Sequence, residues 1–193
     1  QGVYREMASD GDRNRLIVDD VIAALEERRS PLLLTERRDH LEFFVDQLRV
    51  ATRNLIVLRG GVGKKQREAE MKKLEQIPDE EERLVVATGR YIGEGFDDAR
   101  LDTLFLAMPI SWRGTLVQYA GRLHRQHDGK TEVRIVDYVD REVPMLEKMT
   151  KRRMRGYRSL GYVVDDGSPD VPDLQREPEI VYDGDGNDAE GLN

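Results

Sequence analysis

The 193-residue sequence has no cysteine, and that absence removes disulfides, thiolate zinc sites and thiol catalysis together. Only three histidines are present, scattered along the chain, so a histidine-built metal cluster is not expected either. Aromatic residues reach just 6%, with a single tryptophan. The longest apolar runs are four to five residues, far below the roughly 20 that a membrane-spanning helix needs, and the opening Gln1-Gly2-Val3-Tyr4 has none of the features of a signal peptide. A cytoplasmic protein is the expectation. What the sequence does have is 38% hydrophobic and 36% charged residues, enough for a real core beneath a heavily charged surface. Length and composition together indicate one domain plus a tail.

The net charge of -7 is unevenly distributed. Residues 165–193 carry ten acids and one base, whereas residues 1–164 carry 30 bases and 28 acids. The tail also holds Pro169, Pro172, Pro178 and few apolar residues, a composition that does not offset its ordering entropy, so it is expected to be disordered. A solvated spacer and an acidic mimic competing for a nucleic-acid surface are the two readings of it.

Residues 1–164 alternate helical patterns with short continuous apolar runs. Ile17, Val21 and Leu25 mark one amphipathic helix, and Leu41, Phe44, Val45 and Leu48 another. The runs Leu32–Leu34, Leu55–Leu58, Leu84–Ala87, Leu104–Ala107 and Val133–Val136 lack the alternation of half-exposed strands and predict buried parallel strands. Pro144 and Gly161 bracket a last helix with Leu146, Met149, Met154, Tyr157 and Leu160 at apolar positions. That helix also carries Lys148, Lys151, Arg152, Arg153, Arg155 and Arg158, too many bases for one stripe and therefore expected on several faces. A three-layer α/β domain follows.

Two stretches carry candidate chemistry. In Gln118-Tyr119-Ala120-Gly121-Arg122-Leu123-His124-Arg125, a continuous helix places Gln118, Arg122 and Arg125 on one face at i, i+4 and i+7. Guanidiniums a turn apart repel unless an anion lies between them, and their planar forks match phosphate oxygens; the bland reading is a solvated basic face. Gly121 costs about 1 kcal/mol in a helix interior and suggests a close backbone approach or a helix start. In Val86 to Asp98, a buried strand runs into a loop holding Gly89, Gly93 and Gly95 and the adjacent Asp97 and Asp98, at the strand end where α/β folds place ligands. Asp97 is suited to accept from a sugar hydroxyl, or else to cap a turn.

Gln118-x-x-Gly121-Arg122-x-x-Arg125 resembles motif VI of superfamily 2 helicases, and Ala87-Thr88 through Gly93-Glu94-Gly95-Phe96-Asp97 resembles their motif V. Leu32-Leu33-Leu34-Thr35-Glu36-Arg37-Arg38 before an amphipathic helix resembles motif IV. The resemblance covers nearly all of residues 14–160 and is closest to the branch of restriction-enzyme motor subunits and excision-repair helicases. It implies a RecA-like, P-loop NTPase-like domain with a mostly parallel central sheet, spanning residues 14–164 between a lead-in at 1–13 and the acidic tail at 165–193. It further implies Arg122 and Arg125 as arginine fingers with Gln118 aligning nucleotide or water. Gly93, Glu94, Gly95 and Asp97 would stand at the nucleotide, and Thr35, Arg37, Arg38 and Thr88 at the nucleic-acid backbone. Thr35 is equally suited to cap the following helix.

ATP with Mg2+ is the cofactor that the family uses, in a cleft between two RecA-like domains of which the preceding one supplies the metal ligands. The sequence has only the second half, and Gln1-Gly2 without an initiator methionine is expected to be an interior point of a longer enzyme. DNA, or alternatively RNA, and that preceding domain are the expected partners. Leu58-Arg59-Gly60-Gly61-Val62-Gly63-Lys64-Lys65 imitates a P-loop, but Leu58 stands where glycine is required and Lys65 where Ser or Thr is required. A glycine turn beside nucleic acid is the reading adopted for it. Trp112 is expected to pack at the inter-domain face or to stack on a base. The alternative to a motor is a non-catalytic nucleic-acid-binding or interaction module with the same fold.

Overall fold

A computed structural model describes residues 2–89, 96–110 and 116–165. All five apolar runs form strands: β1 (Pro31–Thr35), β2 (Leu55–Leu58), β3 (Leu84–Thr88), β4 (Thr103–Leu106) and β5 (Arg134–Asp137). They make one wholly parallel sheet in the order β2-β3-β1-β4-β5. The helices are α1 (Gly2–Ser9), α2 (Gly11–Glu26), α3 (Arg38–Leu48), α4 (Lys64–Glu75), α5 (Val117–Leu123) and α6 (Pro144–Ser159). None is long and apolar enough to cross a membrane.

Why the sheet carries no hydrophobic alternation is visible in its two cores. One face packs Leu33, Leu84, Val86 and Phe105 against Ile17, Val21 and Leu25 of α2 and Leu41, Phe44 and Leu48 of α3. The other face packs Leu32, Leu34, Val85, Leu104 and Leu106 against Leu74 of α4, Tyr119 and Leu123 of α5, and Tyr157 of α6. Odd and even residues of the same strand are therefore buried alike. Each fully buried Leu, Ile, Val or Phe contributes at most about 1.5–3 kcal/mol.

Local signals place the helix ends. Asp10 caps α2 by accepting from the backbone N–H groups of Asp12 and Arg13 at 3.1 and 3.0 Å, worth about 1 kcal/mol. Within residues 1–13 lies α1, whose Met7 is buried with Met108 and Leu146. Arg13 donates to the Ala107 carbonyl at 2.7 Å. The exposed strand edge at β2 is covered from α4: Glu70 accepts from the Val57 N–H at 3.3 Å and Lys73 donates to the Leu55 carbonyl at 2.9 Å.

Three expectations need correction. β5 is the opposite edge strand and is half-exposed rather than buried, because only β4 flanks it. Leu160 is exposed: it stands at the C-cap of α6, where Gly161 at φ +84° reverses the chain so that Tyr162, not Leu160, packs against the core. The bases of α6 do not spread over several faces. Arg153 is buried among Leu146, Thr150, Gly156 and Tyr157, and the other five occupy the opposite side.

Candidate functional site

The carboxyl edge of the sheet gathers the ends of β1, β2 and β3. Thr35 and Thr88 are register partners on β1 and β3, and Leu58 of β2 is level with Ala87. The Thr88 hydroxyl accepts from the Gly60 N–H at 3.3 Å, which ties the loop after β2 to the end of β3. Gly61 in that loop has φ +81°, a conformation that favours glycine. Three short segments, at residues 35–38, 59–61 and 88–89, thus meet along one edge.

Each expected nucleic-acid residue has a defined setting there. Thr35 is 1% exposed, with its hydroxyl 3.0 Å from His40 Nδ1, and His40 Nε2 lies 2.8 Å from Asn14 Oδ1. The Asn14 amide donates to the Ala8 carbonyl at 2.9 Å, so its oxygen is the acceptor. His40 is then neutral with its proton on Nε2, and Nδ1 accepts from Thr35. Burial, with Arg13 nearby, pushes the His40 imidazole down to about 4. Thr35 thus supplies an inward tether for α3, while the N-cap position itself is Arg37. Arg37 pairs with Asp39, donating through Nε at 2.9 Å and also through Nη2, and holds that carboxyl below the ordinary range. Arg38 is well exposed and reaches Glu42 at 3.0 Å, which also receives Arg59 at 3.1 Å.

The second cluster lies where α5 meets the segment after β3. Helix α5 ends at Leu123, with His124 as C-cap and a tight turn closed by the Arg125 N–H on the Arg122 carbonyl at 3.3 Å. Arg125 is therefore beyond the helix, not on its i+7 face, yet it still reaches the same target as Arg122. Arg122 donates through Nη1 to the Phe96 carbonyl, and Arg125 pairs through Nη1 with the Asp97 carboxylate. Gln118 is exposed on α5. A Cβ on Gly121 would meet nothing within 4 Å, so the expected close approach at that glycine is absent among the described residues. The close approach is instead at Gly89, where a Cβ would collide with Glu36 Oε1. Gly93, Glu94, Gly95 and Trp112 lie outside the described residues.

Sequence reasoning missed the residues that fix this cluster. Tyr119 is buried, donates to the Gly89 carbonyl at 2.6 Å and has its phenol pushed up to about 12 by burial, with Glu36 nearby. It couples α5 to the end of β3. Asp98 turns inward where Asp97 turns outward, and pairs with buried Arg83 at 2.5 Å. Arg100 donates to the carbonyls of Ile77, Pro78, Asp79 and Glu81, tying residues 77–81 to the start of β4. Nothing local in the sequence marks an arginine for such work. Among the described residues no group of three His, Asp or Glu stands together as a metal site.

The parallel sheet between two helix layers is a RecA-like domain of the kind found in helicases. The solved structure of T4 UvsW matches with a TM-score of 0.63 at 17% identity, over 82% of this chain and 34% of that one. Domain 2 of the DEAD-box helicase Mss116p, solved bound to an RNA duplex, matches with a TM-score of 0.54 at 14% identity, over 76% and 56%. No family profile matches the chain. In sequence, the transcript termination protein A18 of Yaba-like disease virus is 28% identical over 132 residues, which is 67% of this chain. The chain spans 27% of that relative's length. Uncharacterized protein 108L of Invertebrate iridescent virus 3 is 34% identical over 87 residues, 45% of this chain and 79% of the relative, and the chain belongs to the same family as that protein.

Proposed function

We propose that the chain is the second RecA-like half of an ATP-driven motor on nucleic acid, acting with a preceding RecA-like domain. The observation that carries this reading is the convergence of Arg122 and Arg125, three residues apart and on either side of a helix end, upon the Phe96-Asp97 segment. Both guanidiniums already hold oxygen acceptors, one a carbonyl and one a carboxylate. That donor set fits phosphoryl oxygens, which are tetrahedrally arranged, carry more charge and can be bridged in pairs by a planar guanidinium fork. ATP would supply a transferable phosphoryl group, whose charge Arg122 and Arg125 would stabilise while Asp97 holds the ribose and Gln118 aligns nucleotide or water. Exchange of the Arg125–Asp97 pair for an Arg125–phosphate pair would free the Asp97 carboxylate for that sugar.

The edge formed by residues 35–38, 59–61 and 88–89 is the proposed track for the nucleic-acid backbone. Its Arg37, Arg38 and Arg59 are cations held in place by Asp39 and Glu42, and Gly61 has no side chain to keep a phosphate away from the loop. DNA is the proposed substrate, with a restriction-motor or excision-repair style of movement, and Mg2+ is held by the preceding domain. A steady-state phosphate-release assay with and without DNA tests the half-site reading. Negligible turnover by this chain is expected, because phosphoryl transfer also needs a phosphate-cradling lysine and metal carboxylates. Robust turnover by the purified chain refutes it.

A further inference from the structure

Several arginines of this protein are neutralised locally. Arg29, Arg37, Arg38, Arg49, Arg59, Arg125 and Arg134 all have an acid within 4 Å. Arg5, Arg15, Arg28, Arg53 and Arg141 have no ion pair among the described residues but are scattered over the chain, whereas helix α6 gathers such bases on one face. Lys148, Lys151, Arg152, Arg155 and Arg158 are exposed, and at 100° per residue they fall within about a third of the helix circumference. Only Lys151 has an acid, Glu147 at 2.7 Å; Lys148, Arg152, Arg155 and Arg158 have no ion pair among the described residues. Bases three and four residues apart repel one another, so this face lacks an anion. The opposite side of α6 is anchored in the core by Arg153 and Tyr157, so the basic face is presented rigidly.

An anion of matching charge lies in the same chain. Residues 166–193 hold nine acids and one base and begin seven residues after the end of α6. Twenty-eight residues reach far beyond the roughly 24 Å length of a 16-residue helix, even when only partly extended. Tethering sets the local concentration of those carboxylates near the millimolar range, ahead of an untethered competitor. We propose that the acidic segment 166–193 covers the basic face of α6 and competes there with phosphate backbone. The covering stands independently of the motor reading; the competition rests on it.

The absence of cysteine gives a clean test. A nitroxide on Asp185→Cys in the full chain is expected to broaden the amide signals of Lys148, Arg152 and Arg155 at about 20 mM salt. The broadening should vanish at about 500 mM salt, where screening is strong, and in the exposed double variant Arg152→Glu, Arg155→Glu, whose unfolding midpoint confirms the intact fold. Unbroadened α6 signals at low salt, or broadening that survives both treatments, overturns the proposal. Replacing the nine acids with Asn and Gln should raise affinity for a short single-stranded oligonucleotide roughly tenfold at low salt, with no gain in the α6 double variant. Oligonucleotide bound to α6 without tail broadening overturns the proposal in favour of an external polyanion. Broadening with no oligonucleotide binding by any variant upholds the covering and refutes the nucleic-acid reading instead.

Discussion

Arg153 is the side chain whose removal should cost this domain most. It is 1% exposed and donates to both oxygens of Asp137, through Nε at 2.6 Å and Nη2 at 2.9 Å, while Thr150 accepts at 3.2 Å. The Asp137 side chain is 5% exposed, and the phenol of Tyr157 is its remaining donor, at 3.0 Å. Arg153→Ala would leave a buried carboxylate with one neutral hydrogen bond in place of a bidentate cation. Breaking a buried pair from one side costs about 3–5 kcal/mol, and for a domain of this size each kcal/mol lowers the melting temperature by about 2–4 °C. A fall of roughly 6–20 °C is expected, read by circular dichroism and paired with urea unfolding for the free energy. Neighbouring Arg152→Ala removes the same side chain from the exposed face and should change stability by no more than about 0.5 kcal/mol. Replacing both members, Arg153→Met with Asp137→Leu, should recover much of the loss, because no uncompensated charge is left. If Arg153→Ala melts within about 2 °C of the parent, the pair does not lock α6 to β5 and the reasoning fails.

The buried His40 makes stability depend on pH. Its folded pKa near 4 lies below its unfolded value of 6.5, so the unfolded chain binds more protons between those values, and stability is full above about 6.5 and falls as pH drops toward 4. The loss amounts to roughly 3 kcal/mol, and His40→Gln should flatten that limb of urea midpoints plotted against pH; an unchanged limb assigns the effect to other groups. Under the proposed pairing with a preceding RecA-like domain, Arg125→Lys keeps the charge but loses the planar fork, and nucleic-acid-stimulated ATP hydrolysis by the joined pair should fall on the order of a thousandfold. Near-normal hydrolysis would return Arg125 to a plain surface partner of Asp97. Arg37→Ala with Arg38→Ala should reduce the salt dependence of nucleic-acid binding by about one for each phosphate no longer neutralised, and an unaltered slope makes those residues purely structural.

Much of the fold is written in local periodicity. Five apolar runs without alternation require burial on both faces, and only a sheet between two helix layers provides it, so the strands and the layer architecture are legible before any tertiary packing is known. The faces of α2 and α3, and the Pro144 and Gly161 boundaries of α6, follow from equally local rules. Strand order is not local: that β1 lies between β3 and β4 depends on how whole crossovers pack. Partner choice is not local either. Arg153 looks like its five basic neighbours in sequence and differs only because the helix phase aims it at Asp137, sixteen residues earlier. Arg125 lies outside its expected helix, and folding alone brings it to Asp97, 28 residues away. Thr35, His40 and Asn14 form one buried chain of hydrogen bonds across 26 residues, although in sequence each is an unremarkable polar residue near a helix end. Secondary structure is set by neighbours within a turn or a strand, whereas the worth of a charge or a polar group is set by what surrounds it after collapse.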